Sequence, residues 1–90
     1  MIAFQALADA TRRRIVELLA RNELSAGEIA GRFEVSAAAI SQHLKLLKEA
    51  RLVKMRVEAQ KRIYALDPEG LYALDGWLAN IRRLSDRADG

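Results

Sequence analysis

Residues 25–50 read SAGEIAGRFEVSAAAISQHLKLLKEA, and their punctuation divides them into two helices and a turn. Ser25 with Glu28 is a capping box: the Ser25 hydroxyl accepts from the Glu28 amide, and the Glu28 carboxylate reaches back to the Ser25 amide. The short helix it opens turns Ile29, Ala30 and Phe33 inward. Glu34-Val35 makes a tight turn, and Ser36 caps a second helix running to about Ala50. Ala39, Ile40, Leu44 and Leu47 form its inner side, with Leu46 as a shoulder. Its outer side, Ser36, Ala37, Ala38, Ser41, Gln42 and Lys45, is small or hydrogen-bonding. A short helix, a tight turn and a second helix with a polar outer face form a helix-turn-helix.

Upstream, Ile2, Leu7 and Phe4 suggest a short first helix ending near Asp9. Asp9 or Thr11 caps the next, whose apolar face is Ile15, Val16, Leu18 and Leu19 and which closes at Asn22-Glu23. Downstream the period changes to two. Leu52, Lys54, Arg56 and Glu58 alternate with Val53, Met55 and Val57, and a second run, Arg62 to Leu66, follows a polar break at Ala59-Gln60-Lys61. The pair reads as a hairpin. Asp67 as cap and Pro68 at the first helical position start a final helix carrying Leu71, Leu74, Trp77, Leu78, Ile81 and Leu84, before a charged tail expected to fray. The expected fold is mainly α with a small β-hairpin, a winged helix-turn-helix of order α-α-α-α-β-β-α. One domain spans 1–90, with the helix-turn-helix at about 25–50, the wing at about 52–66 and the last helix at about 68–85.

Composition narrows the function. The chain has 90 residues, of which 51% are hydrophobic and 30% charged, as in a folded globular protein. With no cysteine and a single histidine, a thiolate or multi-histidine metal site is not expected, and no cofactor is implied. No apolar run is long enough to span a bilayer, and the first residues lack the basic region of a signal peptide, so a cytoplasmic location without membrane insertion is expected. Glycine-rich phosphate loops and paired carboxylates are missing, which argues against an enzyme.

Charge is concentrated. Between Ser36 and Leu66, Lys45, Lys48, Arg51, Lys54, Arg56, Lys61 and Arg62 stand against Glu49 and Glu58, a local charge of +5 in a chain whose net charge is +3. That distribution suits a polyanion, here double-stranded DNA. Gln42 has the bidentate geometry for adenine, Ser41 addresses a base or phosphate, Lys45 and Lys48 pair with phosphates, and Ser36 with the amides at Ala37 and Ala38 offers a phosphate site. His43 either touches phosphate or packs at the helix edge. Lys54, Arg56, Lys61 and Arg62 gather where a wing would straddle the backbone, and Arg56 is expected there as a positioning contact. Each has a plainer reading: Ser36 is first a cap, Ser41 and Gln42 also suit solvent, and the hairpin tip also reads as an ordinary turn. A protein-interaction module or a non-specific architectural DNA binder is the alternative function.

The last helix is wider in apolar residues than a small monomer covers. Leu74, Leu78 and Ile81 form a seam, which Leu71, Trp77 and Leu84 extend. Half of this surface docks on the core; the rest, with Ile2 and Phe4, is expected to pair with a second copy about a two-fold axis.

Several stretches resemble the ArsR-type repressors. Phe4 to Arg13, FQALADATRR, is similar to their opening string; Ile40 to Leu47, ISQHLKLL, resembles their recognition helix; Glu49 to Val53 and Arg62 to Pro68 match the helix exit and wing. The resemblance spans nearly the whole chain in order. It implies a homodimeric winged-helix regulator, usually a repressor, paired through its first and last helices. It departs at Glu23 to Ala30, which carries no thiol, and in the last helix, which has no histidine, so the chain resembles the subgroup without metal. Ala10 stands where proline is usual, Ala37-Ala38 where Arg-Pro is frequent, and Arg51 where glycine is common. Any effector, small molecule or protein, is left open by the sequence.

Overall fold

The computed structural model describes residues 2–89. The chain runs α1 (Ile2–Leu7), α2 (Ala10–Arg21), β1 (Leu24–Ser25), α3 (Ala26–Ala30), α4 (Ala37–Glu49), β2 (Val53–Glu58), β3 (Lys61–Leu66) and α5 (Pro68–Asp89). This is the expected winged helix-turn-helix with one addition. The hairpin is widened by β1 into a three-stranded antiparallel sheet of order β1-β3-β2, with Leu24 opposite Tyr64 and Ser25 opposite Ile63. A two-residue strand has no periodicity to betray it; it forms because Leu24 is buried beside Tyr64 while Ser25 opens α3. The charged tail after Leu84 stays helical as far as Asp89, in place of the fraying expected there.

Side-chain caps fix where the helices begin. Asp9, not Thr11, caps α2 by accepting from the Arg12 amide at 3.0 Å, and this bond is the main reason its carboxyl titrates below the usual range. At α3 the box closes in both directions, Glu28 amide to Ser25 Oγ at 3.1 Å and Ser25 amide to Glu28 Oε1 at 2.8 Å. Ser36 Oγ accepts from the Ala39 amide at 3.1 Å, and Asp67 Oδ1 accepts from the Glu69 amide at 3.0 Å.

The core lies where α2, α3, α4 and the sheet meet, and Ile15, Ile29, Ile40, Leu44, Leu47, Leu52 and Val53 are all but inaccessible to solvent. Phe33 follows α3 and packs against this core from the turn. Leu46, expected as a shoulder of the inner side, is exposed instead.

One corner ties the second helix of the motif to the last helix. At the end of α4 the Leu52 amide donates to Leu47 O and the Arg51 amide to Lys48 O, both at 3.0 Å, a Schellman closure that requires a left-handed residue between them. Arg51 fills that place with φ 58°, at a cost of about 1 kcal/mol. The strain is offset by buried contact between the Leu47 and Leu52 elements of the motif and by two bonds that the corner accepts: Asp67 amide to Leu52 O at 2.9 Å and Gly70 amide to Arg51 O at 2.8 Å. An exposed ion pair, Arg51 to Glu69 at 3.0 Å, crosses the same junction. Beyond it α5 extends away from the body. The radius of gyration, 15.3 Å, exceeds the roughly 12 Å of a compact chain this long, and the longest dimension is 55 Å.

Candidate nucleic-acid interface

The burial of Ile40, Leu44 and Leu47 sets the rotation of α4, and helical spacing carries the other residues to the opposite side. Ser36, Ala37, Ala38, Ser41, Gln42, Lys45 and Lys48 are all exposed along it. The structure therefore brings the sequence-predicted set on α4 onto one free surface, with one exception.

His43 does not share that surface. It is half-buried on the flank facing α2, where Arg12 Nη1 approaches its Nδ1 at 3.3 Å. A guanidinium has no acceptor, so the ring presents Nδ1 as one. The phosphate-contact reading of His43 gives way to the packing one. Arg12 was not singled out from the sequence, yet it organises this junction: its Nε donates to Ala6 O at 2.6 Å and its Nη2 to Gln5 O at 3.3 Å, while Arg13 Nη1 donates to Leu7 O at 2.8 Å. Two arginines thus satisfy the terminal carbonyls of α1. Three consecutive arginines after a cap are a visible signal, but nothing in their spacing shows which carbonyls they reach.

In the wing, Lys54, Arg56, Lys61 and Arg62 are exposed as expected. Their partners differ. Lys54 and Arg56 lie on the sheet face turned away from the core, as alternation from buried Val53 requires. Arg56 is not a free positioning cation: Nη1 meets Glu23 Oε1 and Nη2 meets Glu58 Oε2, each at 2.9 Å, and the bond to Glu58, then that to Glu23, raises its pKa above the ordinary guanidinium value. Its charge is shared with two exposed carboxylates, one of them 33 positions away at the edge of β1, so a contact from Arg56 to the DNA backbone competes with these ion pairs. Arg62 lies on the other face, opposite exposed Val57. Between the strands, Ala59 and Gln60 both have positive φ, 49° and 69°.

The apolar strip on α1 and α5 is partly free. Ile2, Phe4, Trp77, Leu78, Ile81 and Leu84 are exposed, and the rings of Phe4 and Trp77 meet edge to face with centroids 4.9 Å apart. Leu74 and Leu71 do not belong with them. Leu74 is 9% exposed within the core and Leu71 packs against that core, so both are corrected from a self-association role to anchoring α5 on its own chain. Among the described residues no three His, Cys, Asp or Glu side chains gather as metal ligands, and no helix is long and apolar enough to cross a membrane.

The profile described as "Bacterial regulatory protein, arsR family" matches residues 9–55, from the cap of α2 into β2. The HTH-type transcriptional regulator Rv2034 of Mycobacterium tuberculosis is 58% identical over 72 residues, covering 80% of this chain and 67% of the relative. The transcriptional repressor SdpR of Bacillus subtilis is 35% identical over 83 residues, 92% of each chain. Among solved structures, an ArsR-like transcriptional regulator from Rhodococcus sp. RHA1 superposes with a TM-score of 0.88 at 32% identity, covering 97% of this chain and 80% of that one. Matching in sequence across the helix-turn-helix and in fold from α1 into α5, this chain belongs to the arsR family of bacterial regulatory proteins.

Proposed function

We propose that the chain is a homodimeric repressor that reads a palindromic operator with α4 and holds the flanking backbone with its wing. The observation that carries this reading is the outer side of α4, where Ser41, Gln42, Lys45 and Lys48 are exposed together, the exposed Leu46 of the same helix lying to one side of them, near Ile2 and Arg12. A protein-docking helix would present apolar anchors there. A major groove about 12 Å wide admits such a helix, with Gln42 set for adenine and the lysines for phosphates. In the wing, Lys54, Lys61 and Arg62 supply the backbone contacts. Pairing two chains through the exposed strip on α1 and α5 sets two such helices roughly 34 Å apart, one turn of DNA. A dimer so bound over a promoter excludes polymerase. The repressor SdpR, similar over 92% of its length, supports that direction of control.

The test is a fluorescence-anisotropy titration against DNA upstream of the protein's own gene and against a shuffled duplex, at two salt concentrations. A specific regulator prefers its operator by about a thousandfold or more. Equal, steeply salt-dependent binding to both, followed by failure to enrich any sequence from a randomised pool, would reduce the protein to non-specific attachment. Within the same assay, Gln42→Ala is expected to relax discrimination at one base pair per half-site by about 1–3 kcal/mol, leaving affinity for shuffled DNA unchanged.

A further inference from the structure

Between α1, α2 and the last turn of α4 lies an open cavity of about 370 Å³, lined by Ile2, Gln5, Ala6, Arg12, Leu46 and Glu49. Phe4 points to the other side of α1, since two residues advance about 200° around a helix, and meets Trp77 there. Opposite charges line this cavity without meeting. The Glu49 carboxylate makes no ion pair or hydrogen bond among the described residues, although the C-terminal turn of a helix disfavours an acid. Arg12 has no carboxylate oxygen within ion-pair distance either. Three of its five side-chain N–H groups go to Ala6 O, Gln5 O and His43 Nδ1, which leaves two. Arg12 reaches α4 at His43, and Glu49 stands six residues on, about 9 Å along the axis, with Leu46 between them. A second hollow, about 230 Å³, opens past Ile2 and Glu49 toward Gly70 and Ala73, and the other charges beside it, Arg51 and Glu69, are paired with each other.

We propose that this cavity binds a small apolar zwitterion, an amino acid or short peptide whose ammonium meets Glu49 and whose carboxylate takes the two remaining N–H groups of Arg12. A neutral apolar ligand would leave both charges unanswered, and an ion of either sign would be repelled by one of them. A guanidinium donates to a carboxylate as a fork, so it fixes the orientation of the ligand as well as holding it. Ile2, Ala6 and Leu46 cover the ligand's body, and the hollow toward Gly70 and Ala73 takes a branched side chain. The site joins α1, which carries part of the pairing strip, to α4, whose other side reads DNA. His43, which shares Arg12 with the ligand, follows Gln42 directly in α4. Occupancy is therefore expected to change operator affinity by about fivefold or more. That effector role, unlike the site itself, rests on the operator-binding reading above.

Isothermal titration calorimetry with L-leucine and L-alanyl-L-leucine tests the site. The controls are 4-methylpentanoate, 3-methylbutylamine and glycine, which lack the ammonium, the carboxylate and the apolar side chain in turn. Leucine or the dipeptide is expected to bind with a Kd on the order of 0.1 mM, and each truncated probe about tenfold more weakly or worse. Preference between the two zwitterions tells a free amino acid from a peptide. Glu49→Gln, an exposed change expected to move the melting temperature by less than about 3 °C, is expected to weaken binding about tenfold or more. Arg12 is left in place because it holds α1. The proposal is overturned by equal binding of the truncated probes, by undiminished binding to Glu49→Gln, or by no heat from either zwitterion at about 10 mM. If no zwitterion binds and Leu46→Ser sediments as a monomer where the wild type pairs, a second copy covers the cavity instead. Binding that leaves operator affinity unchanged overturns the effector role and keeps the site. A wild type that selects no operator overturns the reading of α4, while the calorimetry still decides the site.

Discussion

Gly70→Ala is expected to destabilise the protein by about 2–4 kcal/mol, a large part of the stability of a domain this small. A Cβ at this position would lie 2.5 Å from Arg51 O, 2.8 Å from Arg51 C and 2.9 Å from Ala50 O. All three are backbone atoms of the corner closing α4, and that corner cannot give way, being held by the Schellman bonds and by the buried Leu47 and Leu52. The start of α5 must move instead. Its movement strains the bonds from Gly70 to Arg51 O and from Asp67 to Leu52 O and loosens Leu71 and Leu74 from the core. Alanine's better helix propensity recovers only about 0.5–1 kcal/mol. Gly76→Ala is the matched control. It lies six residues further along the same helix, a Cβ there meets nothing within 4 Å, and it is expected to raise stability by that same 0.5–1 kcal/mol or so. Chemical denaturation of both variants checks the pair; equal effects at the two positions would mean that the α4–α5 junction tolerates displacement.

That contrast shows what was legible in the sequence and what was not. Capping and periodicity are local, so the Ser25–Glu28 box, the Ser36 cap and the inner face of α4 could be read from residues within a turn of one another. The polar outer face of α4 followed from the same spacing, and with it most of the candidate interface. What escaped depends on distant partners. Gly70 looks like a poor helix residue until Arg51 O is placed against it. Arg56 looks like a free wing cation until the sheet brings Glu23 alongside. His43 sits beside Gln42 in the chain, but the packing of α2 on α4 turns it to Arg12. On α5, the apolar width was evident and its division was not, because Leu71 and Leu74 are assigned to the core by the corner that aims the helix, and periodicity treats them like Leu78 and Ile81.

Ile81→Asp is expected to abolish self-association at micromolar concentrations and to lower operator affinity by about 10²–10⁴. Ile81 is 42% exposed on the free chain, flanked by exposed Trp77, Leu78 and Leu84 on a helix that projects beyond the body. The single chain therefore loses little from the change. In a two-fold pair both copies bring the residue to the same seam, so two carboxylates enter an apolar contact. Each costs about 2–3 kcal/mol or more in desolvation without a partner, and the dissociation constant rises by about a thousandfold or more. Trp77→Ala, which removes the edge-to-face contact with Phe4 but adds no charge, is expected to weaken pairing in the same direction by less. Sedimentation velocity separates the 10.1 kDa chain from its pair. Thermal melting adds a second readout, since a dimer's midpoint rises with concentration and a monomer's does not. The wild type is expected to show that dependence and Ile81→Asp to have lost it. If both sediment alike and melt independently of concentration, the strip on α1 and α5 is not the surface that pairs two copies. The palindromic reading then loses its geometric basis, because one α4 alone cannot span two half-sites.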